Sequence, residues 1–300
     1  MNRIVAIAML LASPLSVRAQ ELVKYRLTPE STDSSIHRFN EPHYIVFEKA
    51  TSSAAPLLVF MPGTGGKPER TSDFSDVAAH QGYRVIGLEY VDEPAVAQVC
   101  PRSPDTSCSE KVRQKRIYGD DVTGVIDDRP SESIVNRLVK VLVALDLQHP
   151  ADGWSGYLEN GKPKWSRIAV SGLSQGAGMA AYIAQKALVH RVVLFSSPWD
   201  NYGPQQTLAH WVKDGHGETP PERWFAAVHQ KEQTAPLIAR AYMALGIPSS
   251  QIRVLTLEPA VKNGGNPYHA SVVGNGATPR APDGRPAYLD DWKFLLGSAR

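Results

Sequence analysis

The amino-acid sequence predicts an α/β protein built on a mostly parallel central sheet with helices on both faces. Short apolar segments alternate with segments of helical periodicity over residues 43–297. Several of the apolar segments are continuous, which is typical of strands buried on both faces. Strands that alternate with helices favour parallel pairing. No internal repeat, charge block or linker interrupts the pattern, so we expect one domain over residues 20–300.

The expected elements follow from the periodicity in chain order. Strands are predicted at 43–49, 56–63, 83–90, 167–172, 191–197, 224–230 and 251–259. Helices are predicted at 71–80, 174–187, 234–245 and 288–297. A further helix is expected to start at Ser131 as its N-cap and to present one apolar face, formed by Ile134, Leu138, Val141, Leu142 and Leu145. The segment 91–130 shows neither the apolar periodicity of a strand nor that of a helix, so we expect it to be irregular.

The first 19 residues have the pattern of a secretory signal peptide. Arg3 precedes a nearly continuous apolar run, and Val17 and Ala19 place small residues at the −3 and −1 positions of a cleavage site. We therefore expect cleavage after Ala19 and an exported protein, periplasmic or secreted. The apolar run is short for a bilayer span, so stable membrane insertion is not expected. The formal net charge of +2 gives no reason to expect a nucleic-acid partner.

The two cysteines, Cys100 and Cys108, lie close together in "VCPRSPDTSC". In an exported chain, an even number of cysteines favours a disulfide over a redox or metal site. We expect a Cys100–Cys108 bridge that staples a polar loop. No cluster of cysteine and histidine has zinc-ligand spacing, and no metal or organic cofactor is expected.

The stretch "RIAVSGLSQGAGMAAYIAQ" carries the strongest functional signal. It contains a G-x-S-x-G motif centred on Ser174, between a predicted strand and a predicted helix. In that context the serine occupies a sharp turn at the carboxyl end of a strand and is exposed as a nucleophile. Glycines at 172 and 176 fit the close approach of strand and helix backbones, and small residues let the following helix lie near the sheet. A structural turn with a capping serine is the alternative interpretation.

The order of the predicted strands and helices over residues 43–300 resembles that of the α/β-hydrolase superfamily. The segments "PGTGG", "GLSQG", "VHQKE" and "YHASVVGNGATP" are also similar to a group of exported bacterial α/β-hydrolases of uncertain substrate. The resemblance implies an oxyanion hole formed by backbone N–H groups of Thr64 and Gln175. The loop has Pro62 where many members have histidine. A phosphate-binding loop is excluded, because Pro68 stands where Ser or Thr is required; a plain glycine-rich turn remains open.

His269 is the expected general base, because it alone follows the last predicted strand and the superfamily order is serine, acid, histidine. His229, at the end of its own strand, is expected to be a neighbour of the site or a structural histidine. Glu232, after the seventh strand of the family pattern, is the favoured acid. Asp200, after the sixth strand, fits the same order and is the alternative acid; Glu258 is a third candidate.

These residues predict a serine hydrolase that works through an acyl-enzyme, with a small-molecule or carbohydrate ester as the expected substrate. A peptidase or amidase, or a binding protein without activity, are the alternatives. The segments 91–130 and 198–223 are expected to be insertions that cap the site. Trp199 and Tyr202 in the second insertion are candidate substrate contacts, although such aromatic residues can equally form the core of a cap. The sequence does not indicate an oligomeric state.

Overall fold

A central sheet of eight strands organises the computed structural model, which describes residues 21–215, 217–262 and 266–299. The strands are β1 Leu22–Leu27, β2 His43–Glu48, β3 Leu57–Met61, β4 Arg84–Gly87, β5 Ile168–Leu173, β6 Arg191–Phe195, β7 Trp224–His229 and β8 Ile252–Leu255. They lie in the order β1-β2-β4-β3-β5-β6-β7-β8. Strand β2 is antiparallel to both of its neighbours, and every other pairing is parallel. This is the α/β-hydrolase fold, as predicted.

Ten helices accompany the sheet within the described residues. They are α1 Pro29–Thr32, α2 Ser72–His80, α3 Val96–Val99, α4 Cys108–Tyr118, α5 Ile134–Gln148, α6 Gln175–Lys186, α7 His210–Lys213, α8 Ala235–Ala244, α9 Pro267–Ser271 and α10 Leu289–Leu296. Two two-stranded ribbons, Leu158–Glu159 with Lys162–Pro163 and Asn201–Tyr202 with Thr207–Leu208, and several short 3₁₀ helices complete the regular structure.

Helices cover the sheet on both faces, because the side chains of each buried strand alternate between two cores. In β3, Val59 belongs to the core that includes Leu138 of α5. Its neighbour Phe60 belongs to the opposite core, with Phe74 of α2 and Trp292 of α10. A strand with two covered faces is apolar throughout, which explains the continuous runs in the sequence.

Several elements differ from the sequence-based expectations. Strand β1 was not expected, because Lys24 and Arg26 interrupt its apolar pattern on the outer face of an edge strand. The segment 91–130 was expected to be irregular but contains α3 and α4. Helix α4 has little apolar periodicity, because it buries Arg113, Lys115 and Arg116 along with its apolar residues.

The N-cap of α5 is Ser133, not Ser131: the Ser133 side chain accepts a hydrogen bond from the Asn136 N–H. The predicted apolar face of α5 is confirmed, since all five of its residues are buried. His269 was expected in a polar loop and instead lies in the single turn of α9. The predicted signal peptide, residues 1–19, lies outside the described residues.

A disulfide joins Cys100 to Cys108, as predicted, with 5.4 Å between the two Cα atoms. Cys108 is the first residue of α4, so the bridge ties the start of that helix to the end of α3. Across residues 21–215, 217–262 and 266–299, no helix is both long and apolar enough to cross a membrane.

Candidate active site

Ser174 lies in a strained turn between β5 and α6. Its backbone has φ 55° and ψ −118°, in the region that non-glycine residues rarely adopt. The Ser174 N–H donates to the Phe195 carbonyl at 3.0 Å, which fixes the turn against the end of β6. A Cβ on Gly176 would lie 2.0 Å from the Met61 carbonyl oxygen, so only glycine permits this approach of α6 to β3. The motif is therefore a strand–turn–helix elbow.

Glu232 and His269 form a hydrogen-bonded pair at the same edge of the sheet. The His269 Nδ1 atom lies 2.6 Å from Glu232 Oε1. Glu232 follows β7 and its side chain is fully buried, whereas His269 is partly exposed. The Asn266 side chain accepts the His269 backbone N–H and caps α9, which sets the position of the imidazole. The contact leaves Nε2 as the ring nitrogen that can face a substrate.

Two hydroxyl groups also bind the Glu232 carboxylate. Ser196 Oγ donates to Oε2 at 2.6 Å, and Thr234 Oγ1 donates to Oε1 at 2.8 Å. These hydrogen bonds hold the carboxylate in one orientation. No sequence motif marks Ser196 or Thr234. Their only signal is their position, one directly after β6 and the other two residues beyond Glu232.

Asp200, the alternative acid, is also fully buried but has different partners. The Arg113 guanidinium of α4 donates to it twice, from Nε at 2.7 Å and from Nη2 at 2.6 Å. Trp211 Nε1 adds a third hydrogen bond at 2.9 Å. Asp200 is thus held in a two-pronged ion pair. The structure brings Glu232, and not Asp200, to His269.

The two remaining candidates have other environments. His229 is buried; its Nε2 lies 2.9 Å from the Leu257 carbonyl oxygen, and its Nδ1 accepts the Lys231 N–H. It is a structural residue that also packs on the ring of Tyr268, next to His269. Glu258 is exposed and pairs with Lys231 and Lys262, which lowers the pKa of its carboxyl to about 2.

The loop after β3 packs directly against the elbow. A Cβ on Gly63 would lie 3.1 Å from Ser174 Cβ, and Tyr90 donates its hydroxyl to the Pro62 carbonyl oxygen. Thr64 and Gln175 both line the small cavity that contains Ser174. Their place in the same cavity as Ser174 fits two backbone N–H donors directed at one oxygen of a bound acyl group.

A buried carboxyl, Asp92, lies behind this loop. Burial raises its pKa to about 6, while hydrogen bonds from the backbone N–H groups of Gly65 and Gly66 oppose the rise. Burial likewise raises the pKa of the nearby Glu89 to about 8. Both carboxyls line a separate cavity with Gly65 and Gly66, and neither lines the one that contains Ser174.

The cavity beside Ser174 has a volume of about 110 Å³. The segment 91–130 contributes residues 95–98 and Arg113, and the segment 198–223 contributes Trp199 and Asp200. The ring of Trp199 stacks on that of His269, with centroids 5.5 Å apart. Trp199 lines this cavity, and His269 is not among the residues that line it. Tyr202, the other candidate contact, stacks on His210 and is not among the residues that line this cavity.

A larger cavity of about 580 Å³ lies on the other side of α9, lined by Ala270, Asn275 and charged residues that include Lys67 and Arg70. None of Ser174, Glu232 and His269 lines it. Within the described part of the chain, no group of three or more His, Cys, Asp or Glu side chains is placed to hold a metal ion.

Comparisons with known proteins return structural matches only. No family model matches the sequence, and a search of curated proteins found no match. A bacterial heroin esterase is 14% identical over 93% of this chain and 85% of its own, with a TM-score of 0.47. Carboxyl esterase 2 of the fungus Tuber melanosporum is 11% identical over 95% of this chain and 89% of its own, with a TM-score of 0.45. A dienelactone hydrolase-like promiscuous phosphotriesterase from metagenomic libraries is 14% identical over 93% and 99%, with a TM-score of 0.41. Identities this low carry no information about substrate.

Proposed function

We propose that this protein is a serine hydrolase that cleaves carboxylic esters with Ser174 as nucleophile, His269 as general base and Glu232 as the acid. The observation that carries the proposal is the 2.6 Å contact between Glu232 and His269, at the sheet edge where the Ser174 elbow lies. A buried carboxylate in this position holds the imidazole in the tautomer with the proton on Nδ1. Nε2 is then free to take a proton from the serine.

The reaction proceeds in two steps. His269 accepts the Ser174 proton as the serine oxygen attacks the acyl carbon, and the carbonyl oxygen gains negative charge. The backbone N–H groups of Thr64 and Gln175 stabilise that negative charge, and the positive end of the α6 dipole stabilises it further. His269 then protonates the leaving alcohol as the tetrahedral intermediate collapses. Water repeats the sequence on the acyl-enzyme and regenerates the free serine.

Labelling with a fluorophosphonate tests the nucleophile directly. We expect one label per chain, on the peptide that contains Ser174, and loss of ester hydrolysis when the label is complete. The Ser174→Ala variant should take no label and retain only trace activity, with an unchanged melting temperature, because the substitution removes one oxygen atom. A labelled or active Ser174→Ala protein would refute the proposal.

We also propose that the protein is exported after removal of residues 1–19. The Cys100–Cys108 disulfide supports this, since such bridges persist in oxidising compartments. Intact-mass analysis of the protein from an exporting host should give a chain that begins at Gln20 and contains no free thiol. A cytoplasmic chain that keeps Met1 would contradict this part of the proposal.

A further inference from the structure

Among the residues that the structure describes, two buried N–H donors in the cavity beside Ser174 have no acceptor. The first belongs to the Gln175 side chain, whose Oε1 accepts the Val96 backbone N–H at 3.2 Å. Because a backbone N–H can only donate, this contact fixes the amide oxygen toward Val96 and turns the NH2 group away from it. The Gln175 Nε2 atom is buried and meets no acceptor among the residues that the structure describes.

The second donor belongs to Arg113. Two of its nitrogens, Nε and Nη2, bind Asp200, and the third, Nη1, is buried without an acceptor in the described chain. Gly178 makes room for this arrangement, since a Cβ there would lie 2.2 Å from Arg113 Nη2. The guanidinium is therefore held in a fixed position with one nitrogen uncommitted.

Both side chains line the cavity that contains Ser174. A buried donor without an acceptor is unfavourable, and such groups are retained mainly where a ligand or an ordered water completes them. Asp200 neutralises the charge of Arg113. The free Nη1–H therefore suits a neutral oxygen better than a second carboxylate, which would be buried without a counter-charge of its own.

The cavity lies on the acyl side of the site. Thr64 and Gln175, whose N–H groups are proposed to face the oxyanion, form part of its wall. His269, which would protonate the leaving alcohol, does not line it, although its ring stacks on that of Trp199, which does. A volume of about 110 Å³ holds a short chain of a few non-hydrogen atoms and excludes a fatty acyl group.

We propose that the preferred substrates are esters of short acids that carry a neutral oxygen near the carbonyl, such as hydroxy or alkoxy acids. This inference rests on the proposed function. Gln175 Nε2 and Arg113 Nη1 would donate to that oxygen. They are specificity-determining groups, distinct from the backbone N–H of Gln175 that faces the oxyanion. An all-carbon acyl chain of the same length would leave both donors unpaired.

Two isosteric substrates test this proposal: para-nitrophenyl methoxyacetate and para-nitrophenyl butanoate. They share a leaving group and a chain length and differ in one ether oxygen. The ratio of their kcat/KM values is divided by the ratio of their alkaline hydrolysis rates, which removes the intrinsic reactivity of the methoxyacetyl group. We expect a corrected preference of about tenfold or more for the methoxyacetate, as for a hydrogen bond from a charged or buried donor.

Two variants assign the preference to the donors. Gln175→Leu keeps the side-chain volume and removes one donor, and Arg113→Lys keeps a charge beside Asp200 and removes Nη1. Each should reduce the corrected ratio toward one. Val96→Ala enlarges the same cavity and removes no donor. It should change kcat/KM for both substrates by the same factor and leave the corrected ratio unchanged. Thermal melts establish that each variant is folded, and either folded variant suffices for the assignment.

The outcomes separate this inference from the proposed function. Hydrolysis of both esters that depends on Ser174, with a corrected ratio near one, would overturn the inference alone. A wild-type preference that persists in the folded donor variants would overturn it as well. Hydrolysis that survives in Ser174→Ala, or no hydrolysis of either ester, would overturn the proposed function and the inference together.

Discussion

Two buried carboxylates, Glu232 and Asp200, lie at the same edge of the sheet and follow neighbouring strands. Both come after Ser174 and before His269 in the chain, so their order cannot distinguish them. Their partners do. Glu232 is bound by two hydroxyl groups and the His269 imidazole, whereas Asp200 is bound by the Arg113 guanidinium and the Trp211 indole.

The comparison shows that two carboxylates in equivalent positions can have different roles because their hydrogen-bond partners differ. Neutral donors leave the charge of Glu232 available to stabilise an imidazolium as it forms. The Arg113 guanidinium neutralises the charge of Asp200 through two hydrogen bonds, and this ion pair joins α4 to the segment after β6. On this account, Glu232 serves catalysis, and Asp200 serves the structure of the acyl cavity.

The largest expected effect comes from Glu232→Gln. The amide retains the shape of the side chain but can present an N–H to Nδ1, which favours the wrong imidazole tautomer. We expect kcat for ester hydrolysis to fall by about three to four orders of magnitude. Steady-state kinetics beside His269→Ala provides the measurement, and the two variants should be similarly impaired. A loss below about tenfold would remove Glu232 from the catalytic role.

Asp200→Asn should show the opposite balance between stability and activity. The substitution leaves the buried Arg113 charge without a counter-ion, which costs about 3 kcal/mol of unfolding free energy. Urea unfolding measures that loss, and kcat of the folded fraction should fall by less than about tenfold. If instead kcat fell as far as in Glu232→Gln with stability unchanged, the two roles would have to be exchanged.

The disulfide should affect the Asp200 side of the site and leave the Glu232 side intact. Cys108 begins α4, which carries Arg113, while Glu232 and His269 lie on other elements. The double variant Cys100→Ser/Cys108→Ser should lose about 2–3 kcal/mol of stability. KM for the short-chain esters should rise more than kcat falls. A fall in kcat with no change in KM would show that the disulfide does not act through the Asp200 side of the site.

The sequence predicted seven of the eight strands, the elbow at Ser174, His269 as the base and Glu232 as the favoured acid, because each has a local signal. Continuous apolar runs mark buried strands, and G-x-S-x-G marks the turn at Ser174. The choice between Glu232 and Asp200 required the structure, since both acids follow a strand and differ only in long-range contacts. Ser196 and Arg113 were not identified for the same reason: Arg113 lies 87 residues from Asp200 in the chain.

Helix α4 illustrates a second limit of sequence patterns. It buries three basic side chains, Arg113, Lys115 and Arg116, which an apolar-periodicity search counts as exposed positions. Arg116 is paired with Asp128 in the same segment, and Arg113 is paired with Asp200 after β6, so ion pairs contribute to holding the helix in place. Such a helix becomes recognisable only when its acidic partners are located in space.

Proton NMR of the His269–Glu232 hydrogen bond tests the central claim most directly. A proton shared between Nδ1 and a buried carboxylate resonates far downfield of the backbone amides, particularly after Ser174 is modified and the imidazole is charged. The account predicts such a resonance in the wild type and in Asp200→Asn, and its loss in His269→Ala and Glu232→Gln. A resonance that persists in Glu232→Gln and disappears in Asp200→Asn would contradict the assignment of Glu232 as the partner of His269.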